Sequence, residues 1–214
     1  MTRSVVWHPI FARFYSWLSC RGDAAGMADH RDELLAGLVG RGVEVGAGNG
    51  LNFSHYPSSV TKVIAVEPEP YLRARAFSAA RDADVPVTVV DGTADALALR
   101  EASLDFAVVS LVLCSVSSQH AALREIKRVL RPGGELRFYE HVRSESASLA
   151  RWQCAVSPFW KVVGGGCHPD RDTVSAIEHA GFTINQIRSF MFEPGPRIAC
   201  GIVAPHVIGR AAIV

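Results

Sequence analysis

Apolar residues in the first forty positions recur at helical spacing. Pro9 stands where a helix can open, since its missing N–H is not needed in the first turn. Ile10, Phe11, Phe14, Tyr15 and Leu18 follow on that period, and Gly22 marks a stop. A second helix is predicted over residues 30–39, with Leu34, Leu35 and Leu38 on one face and Gly40 at its end. The period then changes. Short, continuously apolar runs are predicted as strands at 42–45, 63–66, 85–90, 106–110 and 136–140. Between them, residues 70–81 keep helical spacing. Ser118 is a good N-cap for a stripe of Ala122, Ile126, Val129 and Leu130, ended by Pro132-Gly133-Gly134. Apolar strands alternating with helices predict a mostly parallel sheet covered on both faces. Past residue 143 the pattern loosens through Trp152, Pro158 and Gly164-Gly165-Gly166. A helix over 172–180, capped by Gly181, and two late strands at 184–192 and 198–204 complete the prediction.

Composition narrows the class without naming a chemistry. The 214 residues are 49% hydrophobic and 20% charged, with a formal net charge of +1, which suits one globular domain and excludes a basic nucleic-acid coat or an acidic tail. RNA is disfavoured as a partner on the same ground. No apolar run reaches 18 residues, so no membrane span is predicted. Val5-Val6-Trp7, cut off by His8-Pro9, is too short for a signal peptide. Cysteines at 20, 114, 154, 167 and 200 are odd in number and widely spaced, with no C-x-x-C pair. That pattern argues against a disulfide framework and predicts no metal site, Cys167-His168 included. It predicts a reduced, cytoplasmic protein.

The chemistry lies in the loop Gly46-Ala47-Gly48-Asn49-Gly50, directly after the first strand. Backbone N–H groups without an obstructing Cβ let a nucleotide approach closely there. The spacing is G-x-G-x-G rather than G-x-G-x-x-G, Glu44 stands two residues ahead, and no lysine follows, which disfavours NAD and ATP. Glu67 closes the second strand, where a carboxylate can accept both hydroxyls of a ribose.

Residues 43–50 resemble the first motif of class I S-adenosylmethionine-dependent methyltransferases. Glu67-Pro68 stands where that family keeps its ribose-binding acid. Gly92-Thr93-Ala94 falls where the family writes Gly-Asp-Ala beside the adenine, with Thr93 in place of the usual Asp. Residues 103–106 and 128–134 resemble the family's fourth strand and the turn into its fifth. Asn52-Phe53-x-x-Tyr56-Pro57, residues 111–116, Glu140-His141-Val142 and Pro205-His206 resemble the small-molecule thiol methyltransferases related to the animal alkyl-thiol enzymes; bacterial members cap dithiol natural products. The animal enzymes carry an N-terminal hydrophobic anchor, and this chain starts too late for one, so no membrane attachment is expected.

The resemblance implies a Rossmann-like, seven-stranded, mostly parallel sheet with helices on both faces. It implies one domain over 1–214: an N-terminal helical lid (1–40), a cofactor-binding core (41–143), and an acceptor-pocket segment with the last strands (144–214). S-adenosyl-L-methionine is the implied cofactor, contacted by Tyr15, Glu44, Gly46, Ala47, Gly48, Asn52, Glu67, Pro68, Gly92, Thr93, Ala94, Ser110 and Leu111. A small-molecule acceptor, a thiol before others, is the implied partner, with the enzyme a monomer or homodimer. Two further readings stay open: methylation of oxygen, nitrogen or carbon on a lipophilic or quinone-like acceptor, and a cofactor-binding module without turnover.

His141 follows the fifth strand, at the edge where open α/β sheets keep their active sites, and is the candidate catalytic group. The competing assignment is a buried histidine bonded to a carbonyl. His206 and Asp170 are weaker candidates, and Cys114 reads as a small buried hydrophobe. Phe11 and Phe14 read as a core stripe, whereas the Tyr15 hydroxyl needs a polar partner near the site. Trp152, Phe159 and Trp160 line an acceptor pocket or pack an added helix. The charged run at 124–128 reads as a solvated helix face.

Overall fold

The computed structural model describes residues 9–192 and 201–213. The chain opens with α1 (Pro9–Gly22), a π-turn (Asp23–Met27) and α2 (Ala28–Leu35). The core follows as β1 (Gly40–Val45), β2 (Val60–Val66), α3 (Pro70–Arg81), β3 (Val87–Val90), β4 (Leu104–Ser110), α4 (Gln119–Val129) and β5 (Leu130–His141). It ends with α5 (Ala147–Val163), α6 (Thr173–His179), β6 (Phe182–Met191) and β7 (Pro205–Ile213). One sheet takes the order β3-β2-β1-β4-β5-β7-β6. β1 to β5 run parallel and β7 is antiparallel to both neighbours. This is the Rossmann-like arrangement with its switch point between β1 and β4, where a crevice opens beyond the strand ends.

Alternation along the buried strands explains the two covered faces. Val43, Val45, Ala107, Val109, Leu136 and Phe138 meet Leu123, Ile126 and Val129 of α4 on one side. Val63, Ala65, Phe106, Val108 and Tyr139 meet Leu34, Leu35 and Leu38 on the other. Each fully buried Leu, Ile, Val or Phe contributes about 1.5–3 kcal/mol relative to exposure. Helix starts follow side-chain chemistry: Glu69 accepts the Leu72 N–H ahead of Pro70, Ser118 the Ala121 N–H, and Asp172 the Ser175 N–H.

Four expectations change. Gly22 is helical (φ −60°), and the break falls at Gly26, whose φ is +112°. The segment before the triple glycine is the helix α5, with Pro158 inside it. Strand signals at 198–204 give way to β7 at 205–213: residues 198–200 lie outside the described residues and 201–203 form a turn. Pairing decides that register, with Val207 opposite Glu140 and Pro205 opposite Met191.

The fourth change concerns which faces are buried. α1 buries Ala12, Ser16 and Ser19 and leaves Ile10, Phe14, Trp17 and Leu18 exposed. Phe14 is therefore not core. α5 likewise buries Ala150, Gln153 and Ser157, whereas Trp152 and Phe159 are exposed. The buried stripes of both helices are made of small or polar side chains. Gln153 shows the reason: its amide donates to the Val142 and Ile202 carbonyls and accepts the Ser144 N–H. The run at 124–128 is a clamp rather than a solvated face. Glu125 accepts the Leu97 N–H, Arg128 donates to the Leu97 and Leu99 carbonyls, and Lys127 to those of Ala180 and Gly181.

Candidate active site

Two clusters of polar chemistry sit side by side at the C-terminal edge of the sheet. The first is built on the glycine loop. Gly46 and Gly48 have φ of +69° and +58°, so the loop turns in a conformation that L side chains rarely adopt. A Cβ at Gly46 would meet Val112 at 2.5 Å; one at Gly48 would rest 3.5 Å from the Tyr15 ring. Tyr15 therefore lies across the loop, and its hydroxyl is pushed up to about 12 by burial.

Glu67 is 5% exposed and carries the nucleotide reading furthest. One oxygen accepts the Gly48 N–H at 2.8 Å and the other the Glu69 N–H at 2.8 Å. A carboxylate offers about four acceptor sites. One on each oxygen stays open for a vicinal diol, so the residues present fit a ribose-bearing cofactor. Burial raises its pKa to about 7 against those hydrogen bonds. Arg73 braces the same edge by donating to the Glu67 and Pro68 carbonyls and to Asp91. Gly92, Thr93 and Ala94 follow β3 there, half-buried, with the Thr93 carbonyl accepting the Ala96 N–H.

Glu44 lines a small cleft over the glycine loop, together with Tyr15, Arg31, Gly46, Ala47, Asn52 and Ser110. Its carboxylate is committed inward, accepting from Asn52 Nδ2 at 2.9 Å and from the Tyr56 hydroxyl at 2.7 Å. Asn52 in turn accepts from Arg31 Nη1 at 2.6 Å, and Arg31 Nε pairs with Asp23 at 2.8 Å. Asn49 donates to Ser19 of α1. This buried chain ties the N-terminal helices to the glycine loop. The cavity it leaves is only about 10 Å³, far below the roughly 300–1,000 Å³ of a site that engulfs a drug-sized ligand. Arg31, Ser19 and Asn49 escape a reading of the sequence because nothing local marks a helix arginine or serine as facing a distant loop.

The second cluster lies beyond β4 and β5. Leu111 has φ +60°, uncommon for a branched side chain, and donates its N–H to the Tyr139 carbonyl at 2.7 Å. That turn aims three successive amides, of Val112, Leu113 and Cys114, at the fully buried Glu140 carboxylate, at 2.9–3.0 Å. Burial still raises the Glu140 pKa. The turn after α5 closes on the same loop. Gly165 and Gly166 have φ of +61° and +92°, and a Cβ on Gly166 would strike the Ser115 carbonyl at 2.9 Å. His168 N–H then reaches the Cys114 carbonyl at 2.8 Å and Arg171 that of Leu113 at 2.7 Å.

His141 is half-buried, with Nδ1 3.6 Å from Cys114 Sγ and 3.5 Å from Cys167 Sγ. Among the described residues, its Nδ1 faces these two sulfurs and no backbone carbonyl. Burial alone would lower its pKa; the Cys167 sulfur and Glu140 outweigh that and raise it. His206 is the buried structural histidine. Its Nδ1 faces the Ala204 carbonyl at 2.8 Å, its ring lies 4.6 Å from that of His141, and burial pushes its pKa down to about 3. Asp170 accepts the Ser157 hydroxyl and ties α5 to the turn. The two clusters are neighbours: Ser110 at the end of β4 lines the cleft beside Tyr15, and the loop that carries Cys114 starts at Leu111.

Residues 43–138 match the methyltransferase-domain family. Over 220 residues the chain is 33% identical to human thiol S-methyltransferase TMT1B, covering 96% of this chain and 88% of that protein. It is 37% identical over 173 residues to rat thiol S-methyltransferase TMT1B, covering 79% and 69%. A crystal structure of an S-adenosylmethionine-dependent methyltransferase from Thermotoga maritima superposes with a TM-score of 0.69 at 26% identity, over 97% of this chain and 99% of that one.

Proposed function

The chain belongs to the S-adenosylmethionine-dependent methyltransferases related to the animal thiol S-methyltransferases, and from that membership we propose that it methylates the thiol of a small molecule by in-line displacement. The observation that carries the reading is the pairing at one sheet edge of a ribose-ready Glu67 with an acceptor-side cluster around His141. The thiol class is supported by the names of the two similar thiol S-methyltransferases. A reduced dithiol natural product is the finer proposal within that class.

The cofactor, once bound, supplies a methyl group already activated on a sulfonium. The protein's work is to hold, orient and exclude water. Glu67 takes the ribose hydroxyls, and the backbone of Gly46, Ala47 and Gly48 admits the nucleoside without a clash. Gly92, Thr93 and Ala94 face the adenine, with Ser110 and Leu111 at the junction with the acceptor. Glu44 and Asn52 serve by shaping the loop from beneath. Tyr15 and residues 1–40 close over the cofactor, 41–143 hold it, and 144–214 shape the acceptor side of a single domain. A free thiol ionises near 8.5, so any group that stabilises the thiolate at neutral pH raises the rate; the surroundings of His141 are assigned that work.

Near-zero net charge favours a small, lipophilic acceptor over a nucleic acid. Among the described residues, no helix is long and apolar enough to cross a membrane, and Cys20, Cys114, Cys154 and Cys167 are unpaired. We place the enzyme in the reducing cytoplasm, as a monomer or homodimer. The test is a panel of thiols, reduced dithiols, phenols, amines and quinols, incubated with S-adenosylmethionine and read by mass spectrometry. Methylated thiols are expected. Products only on oxygen, nitrogen or carbon overturn the acceptor class, and binding without any product overturns the enzyme reading.

A further inference from the structure

Cys114, His141 and Cys167 stand 27 and 26 positions apart, yet their ligand atoms lie within 4.8 Å of one another. They come from three elements: the loop after β4, the end of β5, and the glycine turn after α5. One imidazole nitrogen faces both sulfurs, at 3.5 and 3.6 Å. Those distances have a specific meaning. Tetrahedral zinc, at about 2.3 Å from sulfur and 2.0–2.1 Å from nitrogen, sets a sulfur and a nitrogen on the same ion about 3.5 Å apart. The two observed sulfur–nitrogen separations match that value.

We propose that Cys114, Cys167 and His141 form a Cys2His zinc site whose fourth position receives the acceptor thiol as a thiolate. The fourth-ligand half rests on the thiol reading above; the metal half does not. Among the described residues no fourth His, Cys, Asp or Glu joins the cluster, so three protein ligands leave the open position characteristic of a catalytic rather than a structural zinc. The ligands are braced from behind, as metal ligands require. Glu140 pins the amides at 112–114, and the His168 N–H and Arg171 guanidinium hold the carbonyls of Cys114 and Leu113. The buried Trp160 N–H has no hydrogen-bond partner of full geometry and is turned to the Cys167 sulfur.

Charge also balances. Two thiolates and a neutral imidazole neutralise Zn²⁺. A third thiolate leaves one negative charge, near Arg171, whose guanidinium donates to the Leu113 carbonyl next to Cys114. As the acceptor binds, R–SH gives its proton to solvent, because coordination deprotonates a thiol outright. A sulfur lone pair then forms the new S–CH3 bond. The electron pair of the broken C–S bond stays on the cofactor's sulfur, so the sulfonium's positive charge and the thiolate's negative charge cancel. The neutral thioether product is a weak ligand and leaves.

The experiment uses the full chain, stripped by a chelator under argon with reductant and titrated with cobalt(II). One cobalt per chain is expected, with an intense sulfur-to-cobalt charge-transfer band and the strong visible bands of a tetrahedral ion; zinc should displace it. Cys114→Ser, Cys167→Ser and His141→Ala should each lose those bands while keeping the native circular dichroism, and Cys154→Ser should retain them. Mercaptoethanol should shift the visible bands, and phenol should not. All five cysteines titrating as thiols, with no bound cobalt, overturn the site in favour of an inert packed pair. A mass lower by two hydrogens, restored by reductant, overturns it in favour of a disulfide. Tetrahedral cobalt that ignores thiols, with methyl found only on oxygen, nitrogen or carbon, leaves the metal site standing and overturns the thiol reading.

Discussion

The two halves of the sheet edge are built on opposite plans. The half beyond β1, β2 and β3 is assembled from stretches that each carry their own chemistry: a glycine loop, then Glu67-Pro68, then Gly92-Thr93-Ala94. Glu67 there takes main-chain amides and keeps acceptor capacity to spare, and a buried chain of Glu44, Asn52 and Arg31 backs the loop. The half beyond β4 and β5 is made by convergence. Cys114 and His141 meet because β4 pairs with β5, and Cys167 joins because a glycine turn brings α5 back over the loop. A cofactor shared by many enzymes can be met by a contiguous motif. The cluster proposed for the acceptor is built from side chains of separate elements.

That contrast can be broken or sharpened by substitution. Glu140→Ala should have the largest effect, because it strips three buried amides of their shared acceptor. We expect a loss of about 3–5 kcal/mol in chemical denaturation; retained stability would contradict the account of the acceptor-side loop. Glu67→Ala should act on the other half alone. Affinity for S-adenosylmethionine should fall about 100-fold, roughly 2.8 kcal/mol, with acceptor-side cobalt spectra unchanged. Calorimetry showing native affinity would remove the ribose assignment.

Arg31→Met tests the bridge between lid and loop. It leaves Asp23 and Asn52 without their partner, which we expect to cost about 1–3 kcal/mol. Amide exchange should rise first across residues 9–35. The pH dependence follows from Glu44, whose pKa burial raises from 4.5 to about 7 against its bonds to Tyr56 and Asn52. The folded state holds the proton more tightly than the unfolded one. Its contribution is therefore complete below about pH 4.5 and is lost as pH rises through about 7, a sign Glu67 shares. Thermal melts of the ligand-free protein should fall over that window, and Glu44→Gln should flatten part of the slope. Phe159→Ser should change least. At 68% exposure, its loss should stay within about 0.5 kcal/mol, so any marked drop in thiol turnover would point to acceptor contact rather than folding.

Legibility divides along the same line. The predicted helix over 70–81 is α3 residue for residue, since Pro70 in the first turn and a Glu69 cap are local signals. Strands β1, β2 and β4 lie where continuous apolar runs place them, each beginning a few residues earlier than the run. α1 and α5 are harder to read because their large apolar residues face outward and their buried stripes are Ala, Ser and Gln, which carry no hydrophobic period. His206 and His141 both stand at strand ends in the sequence, although their surroundings differ. Which is locked among rings and which meets two thiols depends on neighbours from β6, β4 and α5.

The sequence by itself determined the strand and helix alphabet, the parallel sheet covered on both faces, the glycine loop and its acid. All of these rest on periodicity or on chemistry within a few neighbouring positions. Only the tertiary structure decided that Glu44 is committed to Asn52 and Tyr56 while Glu67 takes two backbone amides, that Arg31 clasps the loop, and that two cysteines and a histidine share one point in space. Those outcomes depend on strand order and on the close approach of distant segments. A linear pattern holds no record of either.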